Sequence, residues 1–116
     1  MAQYMLLLVE EPPDFSKFSP EGIQQLIAEY KNWRNRVAES GKLAGGAKLC
    51  DEGGKYLSGT GDDFRVTDGP FAEAKEILGG YFMIEAANYD EAVELARDCP
   101  HLKYGTRIEI REVQPT

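Results

Sequence analysis

Two segments of this chain are apolar on both faces of an extended backbone, and that restricts what can surround them. Tyr4 to Val9 sets Tyr4, Leu6 and Leu8 against Met5, Leu7 and Val9, while Gly80 to Ala86 sets Tyr81 and Met83 against Phe82, Ile84 and Ala86. Strand side chains alternate with a period of two, so each segment has to be covered from both sides. Strands of this kind belong in the middle of a sheet with a layer over each face.

The remaining elements follow from caps and periodicity. Ser19 is placed to cap a helix with Pro20 at its first position and Glu21 near the positive end of the dipole. Ile23, Leu26, Ile27, Tyr30, Trp33 and Val37 recur at helical spacing, and Gly41 stops the run. Tyr30 and Trp33 are assigned to the core, not to a cofactor box. Leu43 to Cys50 reads as a second strand loosened by Gly45-Gly46, and Lys55 to Thr67, flanked by turn glycines, as an added hairpin. Asn88 or Asp90 caps a short helix that Pro100 ends, and Thr106 to Val113 alternates Ile108 and Ile110 with Arg107, Glu109 and Arg111. The order is α+β, a ferredoxin-like βαββαβ plan with an added hairpin. In that plan the first and third main strands are central and both helices lie on one face. The second apolar face therefore needs a further cover, since several hundred Å² of bare apolar sheet is exceptional for a monomer.

A length of 116 residues suits one domain, here residues 1–116, with no linker or repeat to divide it. The net charge of −7 and the scattering of the 13 Lys and Arg residues argue against a nucleic-acid partner, whose phosphates would repel the chain. Cys50 and Cys99 stand outside any metal-ligand spacing. Met1 to Val9 lacks the basic start of a signal peptide, so reduced thiols and a cytoplasmic location are expected. No apolar run approaches the roughly 20 residues of a membrane span. Gly53-Gly54 and Gly59-x-Gly61 lack the context of a nucleotide loop, and Ser16, Ser40 and Ser58 lack the partners of a nucleophile, so no cofactor or metal is expected.

Chemistry has few candidates. Asp68-Gly69-Pro70 is turn-forming sequence. Should Phe71 to Lys75 run extended, Phe71, Glu73 and Lys75 point to one side; in a helical turn Glu73 and Lys75 lie roughly 200° apart. His101, the single histidine, is read as a surface residue after the second helix and is the one imidazole available near neutral pH. Glu85 interrupts an apolar strand and becomes a candidate base if buried, although a solvated place near the strand end is the simpler reading.

The stretch from Asp68 to Tyr81, with Asp68-Gly69-Pro70-Phe71, Glu73-x-Lys75 and Gly79-Gly80-Tyr81 in register, resembles the signature of the YCII-related (DGPF-domain) proteins. The likeness reaches Tyr4-Met5-Leu6-Leu7 at one end and Tyr104-Gly105 and Ile108 to Arg111 at the other. It implies a dimeric α+β barrel, in which two sheets pack face to face as a homodimer, and a cleft for a small metabolite. On this reading Asp68, Glu73 and His101 are the acid-base candidates, and Phe71, Lys75 and Tyr81 the ligand-binding ones. It implies a metabolite-binding role, with sigma-factor or stress regulation as one setting. The alternatives are a cofactor-independent isomerase, lyase or hydrolase and a bare oligomeric scaffold. The chain departs from the better-characterised YCII relatives, which pair a His near the start of the first helix with an Asp before the Pro ending the second. Residues 19–40 contain no histidine and Cys99 precedes Pro100, so that pair is not carried over.

Overall fold

The computed structural model describes residues 1–12, 18–69 and 75–116. Its strands are β1 (Ala2–Glu10), β2 (Leu43–Lys48), β3 (Lys55–Ser58), β4 (Arg65–Asp68), β5 (Ile77–Ala86) and β6 (Arg107–Glu112). The helices are α1 (Pro20–Glu39), α2 (Tyr89–Ala96) and the one-turn α3 (His101–Tyr104). Four strands form an antiparallel sheet in the order β2-β5-β1-β6, and β3 pairs with β4 in a separate hairpin. This is the ferredoxin-like plan with an added hairpin, and the two strands with apolar residues on both faces are its central pair.

Local chemistry sets the element ends. Ser19 Oγ accepts from Gly22 N at 3.0 Å, and Gly41, at φ 78°, takes the left-handed conformation that stops α1. Asn88, the first of the two candidate caps, accepts from Glu91 N at 2.9 Å. Several bounds differ from expectation, two of them by more than a residue at the edges that frame the site. β2 stops at Lys48, and β5 begins at Ile77 because a register shift between Leu8 and Val9 lets β1 pair onward with Leu78 and Ile77.

The core lies between the helices and the face of the sheet that carries Tyr4, Leu6, Ile84 and Ala86, closed by Val37, Ala92, Ala96 and Cys99. Trp33, 1% exposed, meets Phe82 edge-on at 4.9 Å between ring centroids. Its Nε1–H donates to Leu95 O at 3.1 Å, satisfying one of the carbonyls that the end of α2 leaves unpaired. The opposite face presents Met5, Leu7, Val9, Tyr81 and Met83, each half-buried within one chain. Glu85 is half-buried there too, paired across the ladder with Gln3.

Candidate functional site

Glycines hold α1 and the sheet apart. Gly46 of β2 and Gly79 and Gly80 of β5 lie under the first half of α1, and a Cβ on Gly46 would come within 2.7 Å of the Phe82 ring. With no side chains rising from this floor, the apolar stripe of α1 packs tightly only from Trp33 onward. Ile23, Leu26, Ile27 and Tyr30 instead wall a cleft of about 1080 Å³, and Ile27 remains 49% exposed. The expectation that the whole stripe is core holds for Trp33 and Val37, and Tyr30 is corrected to a cleft residue. Leu8, Phe18 and Phe82 add to the apolar lining.

One end of the cleft is polar. His101 is 2% exposed, not a surface residue, and it opens α3. Its Nε2 lies 2.7 Å from Val9 O and its Nδ1 lies 3.1 Å from the Tyr30 hydroxyl. A carbonyl can only accept, so Nε2 carries the proton; in the neutral ring Nδ1 is then a lone pair and the Tyr30 O–H must donate to it. Val9 O also accepts from Thr106 N at 3.0 Å, which uses both of its lone pairs. The imidazole lies over Gly105, where a Cβ would clash with Cε1, Nε2 and Nδ1 of the ring, so glycine there is a condition of the histidine's position.

Glu10, the last residue of β1, also lines the cleft. Its Oε1 is buried without a hydrogen-bond partner among the described residues and lies against the backbone of Gly79, in the space a Cβ would take. Burial raises the pKa of Tyr30 well above the ordinary phenol value, and the neighbouring Cys99 and then Glu10 add to the effect. Burial likewise pushes the Cys99 thiol up to about 11, an inert thiol beside the site. At the outer margin the Tyr104 hydroxyl, followed by Lys103, holds Glu29 below its usual carboxylate range. No group of three His, Cys, Asp or Glu side chains among the described residues is arranged to hold a metal ion.

Of the four sequence candidates among the described residues, Asp68, Lys75, Tyr81 and His101, His101 alone lines this cleft. Asp68 ends β4 on the hairpin, with its exposed carboxylate on Lys55 Nζ. Lys75 is exposed, and Tyr81 sits on the opposite sheet face across from Leu7. Neither Asp68, Lys75 nor Tyr81 lines the cleft. Phe71 and Glu73 lie outside the described residues, as does the question of whether that stretch runs extended. Glu10 carries no sequence signal of its own, and Tyr30 reads as core from its helical spacing. The signal that could have found the cleft is the pair of glycine runs, Gly45-Gly46 and Gly79-Gly80, brought onto neighbouring strands by the register of β2 and β5, in which Gly46 faces Phe82 and Gly80 faces Lys48.

Comparison with known proteins agrees with the fold. The model of the YCII-related domain matches residues 2–116. An uncharacterised protein of Rhizobium meliloti (strain 1021) is 32% identical over 96 residues, covering 82% of this chain and 77% of that protein. Among solved structures, 5-chloro-2-hydroxyhydroquinone dehydrochlorinase (TftG) from Burkholderia phenoliruptrix AC1100, in complex with 2,5-dihydroxybenzoquinone, superposes with a TM-score of 0.56. The alignment covers 97% of this chain and 93% of that one at 15% identity, a likeness of fold.

Proposed function

This chain belongs to the YCII-related domain family, and on that premise we propose that it binds a small organic molecule in the cleft between α1 and the glycine floor of the sheet. The observation that carries the reading is a cavity of about 1080 Å³ with an apolar wall along α1, the polar side chains of Glu10, Tyr30 and His101 grouped together, and the charged residues Glu11, Arg34, Lys48 and Asp51 also on its lining. That is the usual composition of a ligand site: apolar surface for affinity and a few placed polar groups for orientation. The volume is at the upper end for drug-sized ligands, so one or two rings fit. Turnover is the second reading, supported by a structural neighbour that is a dehydrochlorinase. Tyr30 and His101 then form a fixed proton path leading to the cleft. The family setting also supports a homodimer joined through Met5, Leu7, Val9, Tyr81 and Met83, and a sensing role in regulation would use the same cleft.

The test is calorimetric titration and thermal shift with a panel of small uncharged phenols and quinones. Saturable binding is expected, with about 2.7 kcal/mol of added stability at a hundredfold excess over Kd. Ile27→Trp, which fills the cleft from α1, should abolish it at unchanged fold. Binding that survives Ile27→Trp would place the ligand elsewhere and end the proposal.

A further inference from the structure

From the closed end of the cleft we infer that Glu10 and Tyr30 are specificity-determining acceptors, and that the ligand is an uncharged organic molecule presenting hydroxyl donors, not a carboxylate. This rests on the cleft being a binding site. The first observation is the Glu10 carboxylate, which lines the cavity and whose Oε1 is buried against Gly79 with no protein partner among the described residues. With that oxygen fixed and shut off from solvent, the carboxylate meets a cavity ligand as a hydrogen-bond acceptor, and a ligand O–H supplies the donor. Gly79 holds the carboxylate in that place, because any side chain at that position would occupy its volume.

The second observation is the direction of the Tyr30 bond. Val9 O commits the proton of His101 to Nε2, Nδ1 commits the Tyr30 proton, and Tyr30 Oη keeps only lone pairs for the cavity. Both groups therefore present acceptors. A carboxylate ligand would meet an unpaired anion and a second acceptor, the arrangement that rejects it. The basic residues on the lining do not reverse this: Lys48 Nζ is engaged by Asp51 and the Leu49 carbonyl, each at 2.8 Å, and Arg34 is offset by Glu11 and Glu10 on the same lining.

The experiment measures binding of hydroquinone, its dimethyl ether and benzoate to the full chain by calorimetry, for the wild type, Glu10→Ala and Tyr30→Phe. Hydroquinone is expected to bind about ten- to a hundredfold more tightly than the ether, with benzoate weakest. Glu10→Ala should erase most of that preference while leaving ether binding in place. A second readout needs no ligand: because Glu10 is held unpaired, Glu10→Ala should melt at or above the wild-type temperature, whereas a residue kept for structure would lower it. Equal binding of diol and ether by the wild type, benzoate as the tightest probe, or a preference that survives Glu10→Ala overturns the inference and leaves the cleft reading standing. Failure of every probe to bind overturns both.

Discussion

Replacing Gly105 by alanine is predicted to damage the site through His101 alone. The backbone there has φ −105° and ψ −166°, ordinary extended geometry, so alanine brings no conformational strain. The cost is steric. A Cβ would lie 2.7 Å from His101 Nδ1 and nearer still to Cε1 and Nε2, so the ring must withdraw by about 1 Å to reach normal contact. That movement strains or breaks the bonds to Val9 O and Tyr30 Oη. Overpacking of about 1–3 kcal/mol, together with two broken hydrogen bonds of about 1 kcal/mol each, gives about 3–5 kcal/mol. For a domain of this size the melting temperature should fall by about 12–20 °C. The chain has one histidine, so nitrogen NMR of the imidazole reports this residue without ambiguity. The wild type should show the Nε2–H tautomer, and Gly105→Ala should shift both ring nitrogens. In the double variant His101→Ala, Gly105→Ala the second change should add little, since the clash is gone. A Gly105→Ala protein that melts within about 2 °C of the wild type with unmoved imidazole signals would refute the packing argument, and an Nδ1–H tautomer in the wild type would refute the direction assigned to the Tyr30 bond.

Two further outcomes bear on the fold and its assembly. Trp33→Ala should cost about 3–5 kcal/mol for the lost core contacts and about 1–3 more if Leu95 O is left dry and unpaired, whereas Trp33→Phe should lose mainly the hydrogen bond; denaturant unfolding followed by circular dichroism separates them, and an unchanged Trp33→Ala midpoint contradicts the assignment. If the sheet face bearing Leu7 is the homodimer interface, light scattering should give twice the mass of one chain at micromolar concentration, and Leu7→Asp should break the assembly by burying an unpaired carboxylate at a cost of several kcal/mol; a monomeric wild type removes the proposal.

The central place of β1 and β5 was legible in the sequence because two-faced apolar strands have one comfortable position in a ferredoxin-like sheet, and that depends on residue type and period alone. Ser19, Pro20, Gly41 and Asn88 were equally readable, since a cap acts on backbone groups within its own turn. The cleft was not legible. The periodicity that makes Ile23, Leu26, Ile27 and Tyr30 look like core is the same for a wall and for a filled interior; what separates them is the glycine floor, set beneath α1 only by the pairing of β2 with β5. The acceptor end is more strictly tertiary. Tyr30 and His101 stand 71 residues apart, and His101 stands 92 from the Val9 carbonyl that fixes its proton. A hydrogen bond carries no periodic trace along the chain, so these partners are decided where α1, α3 and the end of β1 converge, and with them the chemistry the cleft presents.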